Sequence, residues 1–193
     1  MDFLTIFLIV FVLLVAYIVH TSCILYKVNP QLKSWDEVLI AYTTYVGDYS
    51  QAYKVTQDIE KTFQKYGVDL TKQPCVGIYY DNPNEVERSK CRAVEGKILP
   101  KDFDYNLNID GIKFGKIPFI EKAIQVEFPL KSLLSIFVGI YKAYPAIKKF
   151  ADTNNLTPSM ASFEVYGWEG QKILFVHGTG EAQGLLLEFP QNE

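Results

Sequence analysis

The sequence predicts an α+β fold: a mainly antiparallel sheet with helices on one face, preceded by one transmembrane helix. Three observations carry this. An uncharged apolar run fills residues 3–19. Behind it, the order strand, helix, strand, strand occurs twice. Glu169-Gly170 then joins the last two strands as a hairpin, and this order of elements places the helices together on one side of a sheet. The expected boundaries are a signal-anchor helix over 1–25, a juxtamembrane connector over 26–34, the folded domain over 35–187 and a short C-terminal end over 188–193.

The anchor comes first. Fourteen of residues 3–19 are Leu, Ile, Phe or Val, which favours insertion by about 4–8 kcal/mol. As a helix the run spans about 25 Å, and reaching Leu25 takes it past about 30 Å, enough to cross a bilayer. A cleaved signal peptide is the rival reading; Asp2 in place of a basic cluster, the length of the run and the mediocre cleavage site at Thr21-Ser22-Cys23 favour an uncleaved anchor. Lys27 and Lys33 follow the run and no Lys or Arg precedes it, so the domain is expected in the cytosol. Cys23 then sits at the cytosolic edge, a candidate for palmitoylation or simply a small buried hydrophobe.

After the Asn29-Pro30-Gln31 connector, "VLIAYTTY" is rich in β-branched and aromatic residues and reads as a strand. Residues 49–66 follow with a helical stripe closed by Gly67. "CVGIYY" and "AVEGKIL" are the next strands, and residues 101–118 read as a long excursion between halves. The second half opens with the alternating strand "AIQVEF". An apolar helix over residues 133–150 follows, which Pro145 is expected to kink or interrupt. "ASFEVYGW" and "KILFVH" complete the hairpin, and "GTGEAQG" is expected to be a terminal loop.

At 193 residues, with 13 Tyr and 13 Phe, there is room for one domain with a well-filled core besides the anchor. A formal charge of −3 and a pI near 5.5 argue against nucleic-acid partners, which need a concentrated basic face. Cys23, Cys75 and Cys91 lack metal spacing and suggest free thiols, with a Cys75–Cys91 bridge as the alternative. No triad order, phosphate loop or metal motif stands out, so neither catalysis nor a cofactor is expected.

Two constellations remain. In "SFEVYGW", Phe163 and Val165 take the core face, which leaves Glu164, Tyr166 and Trp168 together on the other. A carboxylate between rings suits an apolar cation, by charge pairing and cation–π contact of about 0.5–2 kcal/mol per ring; a surface Glu with rim aromatics is the alternative. In "YYDNPNEVERSKCR", Asp81, Asn82 and Pro83 are turn chemistry, and Arg92 is placed to pair with Asp81.

"VGIYYDNPNEVERSKCR", "FPLKSLLSIFVGIYKAYPAI" and "SFEVY" resemble the GyrI-like family of small-molecule-binding domains. Within it they resemble endoplasmic-reticulum autophagy (ER-phagy) receptors that carry this domain behind one anchor. The resemblance implies two modules meeting at a concave groove, a single-pass protein of the endoplasmic-reticulum membrane, and a part in reticulophagy with autophagy proteins as partners. It also implies that Glu164 is the groove acid, with Tyr45 and Tyr80 as candidates for the opposite wall. No counterpart of the receptors' acidic tail, with its motif for Atg8-type proteins, is expected after residue 187. Trp35-Asp36-Glu37-Val38 is the best remaining match to an Atg8-binding core. Because Val38 opens a strand, freeing it costs a few kcal/mol, and this core is expected to bind weakly or not at all unless a partner chain supplies the tail.

The charge asymmetry gives the first test. Protease added to sealed microsomes carrying the full chain should digest everything from Lys27 onward, and full protection would reverse the orientation.

Overall fold

Asp2 starts helix α1 (Phe3–Ser22) by accepting the Thr5 N–H at 2.8 Å. The computed structural model describes residues 2–103 and 109–180, and for residues 159–161 the backbone alone. The expected end at 188–193 and most of "GTGEAQG" lie outside the described residues. Residues 3–18 of α1 are exposed all round, and the helix is long and apolar enough to cross a membrane. It closes on Cys23 in the left-handed conformation (φ 55°), its side chain buried against α3 (Leu133–Thr153).

Eight strands follow: β1 (Gln31–Trp35), β2 (Val38–Val46), β3 (Cys75–Tyr79), β4 (Arg92–Ile98), β5 (Lys113–Ile117), β6 (Ile120–Pro129), β7 (Pro158–Trp168) and β8 (Lys172–Thr179). They form one antiparallel sheet in the order β1-β6-β8-β7-β3-β4-β2-β5. Asp36-Glu37 and Pro118-Phe119 are the whole of the links β1–β2 and β5–β6. Each carries the chain from one side of the sheet to the other, and two residues span only about 7 Å. The sheet is therefore curled. Inside the curl, Trp35 and Ile120 from one side meet Ile40 and Ile117 from the other, over Val76, Ile78, Val94, Phe163 and Val165.

The outer face carries the helices. Helix α2 (Tyr53–Lys65) lays Ile59 and Phe63 on Ala41 and Leu99, and α3 lays Ala143, Ile147 and Ala151 on Val126, Phe128 and Phe175. Gly139 lets α3 approach closely, since a Cβ there would stand 3.0 Å from the Phe128 ring. Between the helices, β3 and β7 floor a groove, with the outer face of β4 running from it under α2.

Three features depart from the sequence reading. Residues 31–34, expected in the connector, are strand β1, and β5 lies inside the expected excursion. Both are edge strands, "QLKSW" and "KFGKI", where lysines and exposed backbone suit an edge and leave no apolar run to read. Helix α3 runs through Pro145 without a break. Pro145 lies on the exposed side, where the Tyr141 carbonyl it leaves unpaired can reach water. Cys23, Cys75 and Cys91 are free thiols.

At the end of β3, Arg92 Nε and Nη2 donate to the two oxygens of Asp81, each at 2.9 Å, and the Arg92 N–H adds a third bond at 2.8 Å. Asn82 turns the chain by accepting the Asn84 N–H at 3.0 Å. The Tyr49 hydroxyl donates to the Arg92 carbonyl at 2.8 Å and accepts from the Asp81 N–H at 3.3 Å. This corner ties the exit of β3 to the entry of β4.

The side-chain bonds from Arg92 hold the Asp81 carboxyl below its usual range. Such a group contributes stability that is complete above its unfolded pKa of about 4 and is lost as pH falls through the lowered folded value. Asp81→Asn should therefore cost about 1–2 kcal/mol near neutrality. Thermal scans of the full chain in detergent should show wild type and variant converging in acid; an equal gap at every pH would remove the carboxylate from this role.

Candidate functional site

One row of the sheet crosses the groove floor. Register pairs Glu95 on β4 with Gly77 on β3, and Gly77 with Glu164 on β7. Two carboxylates thus flank a glycine on the same outer face, and both are buried, 4% and 3% exposed. Gly77 makes the arrangement possible. A Cβ there would stand 2.5 Å from the Tyr79 hydroxyl and 3.1 Å from Glu95 Oε1, so the missing side chain is the space those groups occupy.

The tyrosines complete the site. Tyr144, from α3, donates to Glu164 Oε1 at 2.5 Å, and Tyr166, two residues along β7, donates to Glu164 Oε2. Tyr79 lies over Gly77, and the Tyr49 ring packs edge-on against it at 4.8 Å. Burial raises the ionisation of Tyr79, Tyr144 and Tyr166 well above the ordinary phenol range, so all three are donors at any physiological pH.

The carboxyls are pushed apart. Burial, and secondarily the charge of Glu164, lifts Glu95 to about 8. Glu95 Oε1 has no hydrogen-bond partner among the described residues. Glu164 is also raised by burial, but the Tyr144 and Tyr166 hydroxyls pull it back. Of the two, Glu164 is the one whose charged form the phenols hydrogen-bond, and Glu95 holds its proton near neutrality. Such a pair disfavours anions and can accept a desolvated cation against phenol faces.

Beyond Tyr144 an open hollow of about 610 Å³ is lined by Tyr144, Pro145, Lys148, Asp152, Pro158 and His177, among others. His177 sits 5.4 Å from the Tyr144 ring; burial lowers it to about 4, and its Nε2 has no hydrogen-bond partner among the described residues. Tyr144 is the partition between this hollow and Glu164.

The residues singled out from sequence separate into groups. Glu164 and Tyr166 share the groove face. Tyr45 shares that face but bonds to the Asp48 carbonyl at 2.9 Å rather than to the carboxylates. Trp168 does not join them: a bulge between Tyr166 and Trp168, with Gly167 at φ 83°, turns its ring into the curl against Trp35, 5.2 Å away. Tyr80 likewise packs inside the curl, because alternation gives Tyr79 the groove face. Trp35 is buried against Phe163 and Trp168, and Val38 pairs with Ile117 on β5, so neither is presented to an Atg8-type partner. Cys23 is buried and its thiol faces the His20 carbonyl at 3.7 Å, a poor target for acylation. Glu95, Tyr79 and Tyr144 escaped sequence reasoning. The one available signal was Gly77, a glycine inside an apolar strand.

No family model matches the chain. Human testis-expressed protein 264 is 25% identical over 127 residues, which cover 62% of this chain and 38% of that protein, and its mouse homologue is 24% identical over 126. The chain therefore spans about two fifths of the length of these curated relatives. Among solved structures, the EcmrR C-terminal domain matches 80% of this chain and 99% of its own at 20% identity and a TM-score of 0.60. A hydrolase from Listeria innocua matches 80% and 93% at 12% identity and a TM-score of 0.52. SAV2435 bound to tetraphenylphosphonium matches 80% and 96% at 10% identity and a TM-score of 0.50. These likenesses concern the fold, which is the GyrI-like α+β arrangement of a curled antiparallel sheet with its helices, behind an apolar N-terminal helix.

The raised Glu95 sets a pH test. A carboxyl raised on folding contributes most below its unfolded pKa of about 4.3, and that contribution is lost as pH rises to the folded value of about 8. The melting temperature of the full chain in detergent should fall across this window and level off above it. Glu95→Gln should flatten the slope, leaving the part due to Glu164; an unchanged slope would show that Glu95 is ionised in the folded state.

Proposed function

We propose that this protein is a membrane-anchored binding module that takes a hydrophobic cation into the groove between α2 and α3. Glu164 is the counter-charge, and Tyr79, Tyr144 and Tyr166 are the walls. The observation that carries this is the buried carboxylate pair astride Gly77, held by phenols rather than by a lysine or arginine. A carboxylate buried without a cationic partner is costly, and a ligand cation relieves that cost. The ring faces add about 0.5–2 kcal/mol each once water is excluded. Entry is through the hollow beside Tyr144, whose side chain swings aside to uncover Glu164. The tetraphenylphosphonium complex of a protein with the same fold supports this class of ligand. The groove faces the cytosol, on the charge asymmetry of Lys27 and Lys33. Binding is the role proposed.

A second reading places the module in endoplasmic-reticulum turnover. Its support is the resemblance of the anchored sequence to receptors of that membrane and the 25% identity to testis-expressed protein 264. With Trp35 buried and Val38 paired to β5, that segment is not the one proposed to meet Atg8-type proteins, and proximity labelling of the intact protein would identify the contact that does.

The ligand reading is tested with tetraphenylphosphonium itself. It should raise the melting temperature of the full chain in detergent, while neutral triphenylphosphine oxide should not. Glu164→Gln keeps one acceptor oxygen and places an N–H donor at the other position, which a tyrosine hydroxyl can accept, so it should still fold and lose the cation effect. Equal stabilisation of wild type and variant would sink the proposal.

A further inference from the structure

Helix α3 begins beside the last turn of α1. Ser132 Oγ donates to the Thr21 carbonyl at 2.9 Å, and Lys131 Nζ lies 3.3 Å from His20 Nε2. Further along α3, Lys142 Nζ donates to the Tyr26 carbonyl at 2.9 Å and to that of Ile24. These contacts fix the height of one helix against the other. The first turn of α3 stands level with residues 20–21 of α1, and Lys142 stands level with the chain just past its end.

The outward side of this same stretch is apolar. Leu133, Leu134, Phe137 and Tyr141 are 69%, 48%, 53% and 79% exposed. Their spacing gathers them on one stripe, while Ser135, Gly139 and Ala143 face the sheet. Ile24 and Leu25, where α1 gives way to the domain, are 49% and 79% exposed and extend the apolar surface of α1 toward the stripe. The large apolar side chains therefore lie at the depth where a spanning α1 leaves the hydrocarbon, with Tyr141 at the outer end of the stripe, as in helices seated in a membrane interface.

We infer that the first two turns of α3 are seated in the bilayer interface, so that the domain rests on the membrane through a second contact beside α1. The inference depends on α1 spanning the bilayer. Its occupant is the lipid surface, because the stripe continues the apolar surface of the span and is held at its level by the Thr21, His20 and Ile24 contacts.

The test uses the full chain in vesicles of phosphatidylcholine and phosphatidylserine, with photoreactive p-benzoylphenylalanine in place of Phe137, of Leu14 within the span, or of the exposed Tyr66 after α2. On illumination, lipid adducts should form at 137 and at 14, at severalfold higher yield than at 66. Adducts at 14 with none above the Tyr66 level at 137 overturn the docking and leave the span intact. No adduct at 14 overturns the span and the inference with it. A chain-to-chain dimer in place of lipid at 137 assigns the stripe to a second copy and equally overturns it.

Discussion

Pro118 and Phe119 alone carry the chain from β5, at one edge of the sheet, to β6, beside the other, and the sheet has to curl for them to reach. The rest of the architecture follows from that constraint. Curling brings Trp35 and Ile120 against Ile40 and Ile117, which gives the sheet an interior without a second layer. The outer face is left to the helices. Because α2 sits over β2 and β4 while α3 sits over β6 and β8, the middle strands β3 and β7 are covered by neither. Aromatic side chains fill the gap, and the site lies beneath them.

Placing two carboxyls there has a cost that the protein manages locally. Side by side and unpaired they would repel and suffer desolvation. The row answers this with geometry: Gly77 separates them, two phenols donate to Glu164, and Glu95 keeps its proton. Replacing either acid by an apolar residue of similar volume would remove a buried polar group, so stability alone does not account for the pair.

Much of the architecture was legible because alternation and turn residues are local signals. "AIQVEF" and "SFEVY" declare their faces, and Glu169-Gly170 declares a hairpin. What stayed hidden is what depends on neighbours. Edge strands β1 and β5 carry no apolar signature, since one side of each meets water. Glu95 reads as an ordinary outward residue of "AVEGKIL" until β3 is known to lie beside β4. Tyr144 reads as one more ring on an apolar helix until α3 is laid over β6 and β8, beside β7. Trp168 was misplaced because strict alternation assumes a regular strand, and the bulge at Gly167 breaks the period. Tyr79 and Tyr80 are adjacent, and only the direction of the strand decides which one meets the carboxylates.

The clamp between α1 and α3 has a mechanical consequence. Lys142 holds the carbonyls of Ile24 and Tyr26, Ser132 holds that of Thr21, and β1 begins soon afterwards at Gln31, already paired into the sheet. No slack separates anchor from domain. A module on a flexible tether would sample a hemisphere tens of ångströms across. This one cannot swivel, and its groove keeps a fixed height and bearing. With α1 in a bilayer, as proposed, molecules confined to the membrane surface would meet the groove at an effective concentration set by that confinement rather than by the bulk solution.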